Sequence, residues 1–180
     1  MFCVAVLAML PAVALAMPSC TATFSQSDLS FSKYTHGNDS FDVVRLKGTS
    51  ALLEPTGFPS LPVERVYILI PQDRTCSSIN VTALDTGSLS GNYYVLPCQS
   101  PKLTNGGPPA PFVEPGSAAY NSDSLYPSGF ASLVGEGFSS GYKLAEIEIH
   151  PVRYVAAERR FVFCSSMHVT LNPEQCEDLV

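Results

Sequence analysis

Residues 57–71, GFPSLPVERVYILIP, constrain this chain more than any other stretch. Gly57, Pro59 and Pro62 break the backbone. Val63-Glu64-Arg65-Val66-Tyr67-Ile68-Leu69-Ile70 then runs without interruption to Pro71. A run of β-branched and aromatic residues bounded by proline predicts a strand that is mostly buried. Pro62 and Pro71 leave room for about two helical turns, and Val and Ile lose χ1 freedom in a helix. Pro71 has no N–H, so it ends the ladder.

The rest of the chain follows the same grammar. Residues 41–47, FDVVRLK, predict a strand closed by Gly48, and a loop with four turn-formers fills 48–62. A shorter strand is expected over 78–84, a turn over 85–91, and a strand over 93–96 stopped by Pro97. Residues 97–117, PCQSPKLTNGGPPAPFVEPGS, exclude both helix and central strand, because proline removes donors and fixes φ. So long an irregular segment is usually functional or mobile, and it is read either as a plain solvated loop or as a partner-binding loop. Short extended pieces are expected over 118–137. The strongest hairpin signal comes last. Ala145, Ile147 and Ile149 alternate with Glu146 and Glu148. Phe161, Phe163, Met167, Val169 and Leu171 also recur at period two and are expected on one face. Residues 151–158 are read as the connection. No amphipathic helix is predicted. About seven to nine short strands point to an all-β protein, an antiparallel β-sandwich of Ig-like or jelly-roll-like form with long Pro/Gly-rich loops.

Residues 1–16, MFCVAVLAMLPAVALA, carry no charge and end in Ala14-Leu15-Ala16, an A-x-A site. They predict a signal peptide, too short for a membrane span and broken by Pro11. The expected organisation is therefore leader 1–16, a polar N-terminal arm 17–40, a β-sandwich 41–172, and a tail 173–180 leading to a further region. The product is expected to be secreted, extracellular or periplasmic in transit. The net charge of −6, with ten Lys and Arg, argues against nucleic acid and against anionic lipid. Beyond the leader the cysteines are Cys20, Cys76, Cys98, Cys164 and Cys176. Export permits disulfides. Cys76–Cys98 and Cys164–Cys176 are the simplest pairs, although spacing does not fix connectivity.

No catalytic constellation is visible. Cys164 and His168 would lie about 13 Å apart on one strand, too far for a dyad. His150 before Pro151 reads as a strand-end residue. There is no G-x-S-x-G, H-E-x-x-H, P-loop, C-x-x-C or EF-hand spacing, so no cofactor or metal is expected.

Gly57-Phe58-Pro59-Ser60-Leu61-Pro62-Val63, leading into a strand that ends Ile70-Pro71, resembles the opening of the propeptide of gingipain-type (family C25) cysteine peptidases. Leu96-Pro97 before a Pro-rich loop is similar to that family's middle. Tyr120, Tyr126-Pro127, Gly141-Tyr142, Ile147-Glu148-Ile149-His150-Pro151 and Val152-Arg153-Tyr154 resemble its later motifs, with Val155-Ala156 where the family has Asn-Pro. The resemblance covers about residues 40–172. It implies a non-catalytic β propeptide that covers the active-site cleft of a downstream caspase-like cysteine endopeptidase, in cis or in trans, and assists its folding. A basic side chain on a propeptide loop can then occupy the specificity pocket. Lys102 is the first candidate by loop position and Arg153 the second. The alternative is a secreted β-sandwich adhesion or carbohydrate-binding module using Tyr93, Tyr94, Tyr120 and Tyr126.

Overall fold

The computed structural model describes residues 17–51, 55–100 and 110–175. Among them lie strands β1 (Ser19–Thr23), β2 (Leu29–His36), β3 (Asp39–Leu46), β4 (Ser50–Ala51), β5 (Pro62–Ile70), β6 (Arg74–Leu89), β7 (Leu125–Tyr126), β8 (Ala131–Ser139), β9 (Tyr142–Ile149), β10 (Val152–Val155) and β11 (Arg160–Gln175). A single helical turn, α1 (Ser117–Tyr120), precedes β7. The expected leader 1–16 lies outside the described residues, and no helix within them is long and apolar enough to cross a membrane.

Two sheets make the sandwich. In the first, β11 pairs with β6 along one edge; along the other edge it pairs with β10 and then β1, with β7 beyond β10. In the second, the order is β4-β5-β9-β8. The β2–β3 hairpin forms a separate two-stranded sheet. Every strand pairing is antiparallel.

The alternation in β9 works as the sequence predicts. Ala145, Ile147 and Ile149 are fully buried, while Glu146 and Glu148 face outward, where Arg65 on β5 pairs with both. The strand at 62–70 forms, but it is buried on one face only. Tyr67 and Leu69 are 56% and 58% exposed, because this sheet is covered on a single side. In β11 the periodic residues are all buried, yet they do not share one face. Phe161 and Phe163 enter one core cluster with Val44, Leu61, Val95, Val152 and Tyr154. Met167, Val169 and Leu171 enter another, with Ile68, Ala145, Ile147 and Ile149. The register breaks between Cys164 and Ser166, so Ser165 has no ladder partner on β6, and only its hydroxyl reaches that strand, donating to Asp85 Oδ2 (2.5 Å). One extra residue at such a bulge reverses which face later side chains occupy. Cys164 thus joins the same cluster as Met167.

Other expectations change with the long-range pairing. The polar stretch 17–40 is exposed, but it is not a loose arm: β1 docks on β11 and β2 on β3. The expected strand 78–84 and most of the expected turn 85–91 are one strand, β6, which ends at Leu89 and pairs with β11 along its length. Residues 93–96 make only a single bridge, Val95 to Asp42. The last hairpin is β10 with β11, and β10 lies inside the stretch 151–158 read as a connection, whereas β9 pairs with β5 and β8.

Candidate inhibitory loop and its stem

Residues 93–99 and 110–116, the described stretches on either side of the proline-rich segment's middle, form a stem. Its first leg is fixed by the 57–62 motif. Gly57 N–H donates to the Cys98 carbonyl (3.0 Å), Cys98 N–H to Phe58 (2.7 Å), and Ser60 N–H to Leu96 (2.9 Å). Pro59 faces Pro97 in this short antiparallel bridge, so neither proline denies a ladder donor. Gly57 takes φ +84°, a left-handed conformation suited to glycine, and its carbonyl accepts from Gly116 N–H (2.9 Å). The motif therefore touches both legs.

Side chains complete the grip on residues 93–95. Asp42, 5% exposed, accepts from Tyr94 N–H (2.8 Å) and from Lys33 Nζ (2.8 Å). Tyr120 Oη donates to the Val95 carbonyl (2.7 Å) and Tyr154 Oη to the Tyr93 carbonyl (2.5 Å). Burial pushes the Tyr154 phenol up to about 12 and raises Tyr120 further. Both hydroxyls stay donors at neutral pH. The Cys98 thiol is also driven up by burial, to about 11, against a hydrogen bond with Ser60. It is a packed thiol, not a nucleophile.

The second leg is anchored by aromatic packing. The Phe112 ring stacks on His36 at 4.0 Å and lies 5.7 Å from Phe41 and 6.1 Å from Tyr34. Gln99 joins the legs. Its Nε2 donates to the carbonyls of Pro97 and Val113 (both 3.0 Å), and its Oε1 accepts from Val113 N–H (2.9 Å).

The predicted site residues distribute as follows. Lys102 lies outside the described residues, as does Cys176. Arg153 is on β10 and turned onto the 127–130 segment. Its guanidinium donates to the carbonyls of Pro127 (2.8 Å) and Ser128 (2.5 Å) and sits 4.7 Å from the Phe130 ring. Cys76 and Cys164 are buried in the Met167 cluster, while Cys98 lies at the stem. No disulfide joins the described cysteines, so the Cys76–Cys98 pair is not formed in this structure. Cys164 is buried, and His168 is engaged at its Nδ1 by Thr21 Oγ1 (3.0 Å). Tyr93, Tyr94, Tyr120 and Tyr126 are half-buried and packed in ring contacts, with Phe31 on Tyr93, Phe41 on Tyr94, Tyr94 on Tyr120 and Phe58 on Tyr126. They present no open stacking platform. Sequence reading missed Gln99, Phe112, His36 and Asp42. An uncharged amide and one aromatic in a proline-rich loop give no periodic signal.

One further concave feature lies near the stem. A cavity of about 440 Å³ is lined by Phe58, Ala119, Tyr126, Ser132 and His150, among others. His150 is buried, and its Nε2 is 3.2 Å from Ser132 Oγ. Burial lowers its pKa.

The described residues thus form an antiparallel sandwich that fixes the stretches on either side of residues 101–109. The match to known proteins makes the class specific. The model of the C25 peptidase propeptide family, Propeptide_C25, matches residues 6–178, and the chain belongs to this family. It is the non-catalytic propeptide domain of a cysteine peptidase precursor. Two solved structures share the fold. One, of gingipain K from Porphyromonas gingivalis and concerned with its zymogenic latency, has a TM-score of 0.68 at 19% identity, covering 88% of this chain and 89% of that one. The other, the complex of the pro- and mature domains of RgpB from the same organism, has a TM-score of 0.70 at 14% identity, covering 93% and 82%. No curated protein matches the chain.

Proposed function

We propose that this propeptide keeps a secreted gingipain-like cysteine endopeptidase latent by covering its active-site cleft, and assists the folding of that domain. The stem supports this reading: hydrogen bonds from the 57–60 motif, Asp42, Tyr120 and Gln99, with the stacking of Phe112 on His36, fix the residues on either side of 101–109. Lys102 in that loop is the group proposed to enter an acidic specificity pocket. Arg153 is the weaker candidate, because its guanidinium is engaged by Pro127 and Ser128. A rigid support matters physically, since a loop ordered before binding loses less entropy on docking.

The test is a titration of the chain into mature gingipain K and mature RgpB. Stoichiometric loss of peptidase activity is expected, weakened strongly by Lys102→Ala. Full activity at micromolar propeptide, with the chain folded by circular dichroism, would remove latency as the function.

A further inference from the structure

We propose that the outer face of β5 and β9 is a docking surface for the peptidase domain of the same precursor, with Tyr67, Leu69, Leu144 and Tyr142 at its apolar centre. This rests on the latency reading and deepens it. The sequence of β5 carries the first observation. Val66, Ile68 and Ile70 face the core, yet Tyr67 and Leu69 between them are apolar too. A nearly unbroken apolar run is the pattern of a strand covered on both faces. Here the chain covers one face and leaves Tyr67 and Leu69 exposed. Their ladder partners extend the patch. Leu69 pairs with half-buried Leu144, and exposed Tyr142 follows on the same side of β9. Beyond β9, Gly137 on β8 lies opposite Leu144 and Gly135 opposite Glu146. A Cβ added at either glycine would meet nothing within 4 Å, so β8 is a bare shelf that a partner's backbone can approach closely. Arg65, paired with Glu146 and Glu148, makes the polar rim. An apolar centre with a polar rim is the anatomy of a protein interface.

Two reasons make the peptidase the occupant. A propeptide is synthesised in one chain with its peptidase, so the two domains meet at a high effective concentration. The path of the chain also leads to this face. Gln175, the last described residue of β11, pairs with Arg74. Arg74 donates its N–H to the Pro71 carbonyl, just past β5, and its own carbonyl accepts from Lys143 Nζ on β9. The chain therefore runs on from the end of the sandwich where Leu69, Leu144 and Tyr142 lie, and the peptidase is expected downstream. The other end of β5 begins at Pro62, directly after the motif that holds the stem. One face thus spans the distance from stem to exit, roughly 30 Å of extended strand.

The experiment titrates the whole chain and its variants into mature gingipain K and mature RgpB. Tyr67→Ser and Leu69→Ser should each weaken inhibition about tenfold, and the pair about a hundredfold. Gly137→Gln, whose Cβ meets nothing in this fold, should weaken it by standing in the partner's way. Leu84→Ser, at a comparably exposed leucine on β6, should leave it unchanged. All four positions are exposed or open, and circular dichroism checks that each variant is folded. Nitration by tetranitromethane, mapped by mass spectrometry, should modify Tyr67 and Tyr142 in the free chain and spare both in the inhibited complex. Full inhibition by the folded Tyr67→Ser/Leu69→Ser pair, or nitration of Tyr67 within the inhibited complex, would overturn the proposal. So would a dimer of the chain that dissociates on that pair of substitutions while inhibition is unchanged, since a second copy would then be the occupant. If the unsubstituted chain inhibits neither peptidase, the latency reading falls and this occupant falls with it. If it inhibits and only the face variants are without effect, latency stands and the docking face is refuted.

Discussion

Between β9 and β11, Ala145, Ile147 and Ile149 meet Met167, Val169 and Leu171, and all six are at 0% exposure. At the stem, Phe112 and Val113 are only half-buried and are held by His36 and Gln99. The first region is cohesive because apolar surface leaves water, a force without direction. The second is held by hydrogen bonds aimed at particular backbone atoms, each modest but exact in geometry only for one arrangement.

The contrast can be broken from either side. The largest effect is expected from Ile147→Ala, which opens a cavity in the main core and should cost about 2–5 kcal/mol. Denaturant unfolding should show the loss in the whole chain at once; a loss confined to the stem would mean that the two regions share one core. Asp42→Ala comes next. It strips Tyr94 N–H of its partner and should cost about 1–3 kcal/mol. Amide exchange at Tyr94 should quicken more than in β9. Tyr120→Phe removes the bond to Val95 and should cost about 1 kcal/mol, with inhibition weakened alongside if residues 93–96 orient the loop.

Acidification tests a site between the regions. Burial holds the His150 imidazole below its ordinary 6.5, with Glu148 opposing and Arg153 assisting. As pH falls through 6.5, the unfolded chain takes up the proton first, so folding stability falls. It is unaffected above that value. Urea midpoints measured above and below it should show the drop, and His150→Gln should flatten it. The smallest effect is expected from Arg65→Ala. Its pairs with Glu146 and Glu148 are on the open face, where such bridges contribute about 0–1 kcal/mol. A larger loss of inhibition than of stability there would place the peptidase on the outer face of β5 and β9.

Periodicity is local information, and the sequence alone determined what periodicity carries. It marked the proline-bounded strand at 63–70, the buried face of β9, the buried residues of β11, and hence an all-β chain. The motif order from Gly57 to Tyr154 also pointed to the family. Tertiary structure decided the rest. The unpaired Ser165 sends Phe161 and Phe163 to one core and Met167 to another, although no residue type there announces a bulge. The polar residues of β1 become a strand only because β11 has a free edge to pair with. The stem depends on bonds such as Asp42 to Tyr94 and Tyr120 to Val95, made between residues distant in sequence. Hydrogen bonds of that kind exist only once the chain has brought donor and acceptor within about 3 Å, a condition set by the whole fold and written in no single stretch.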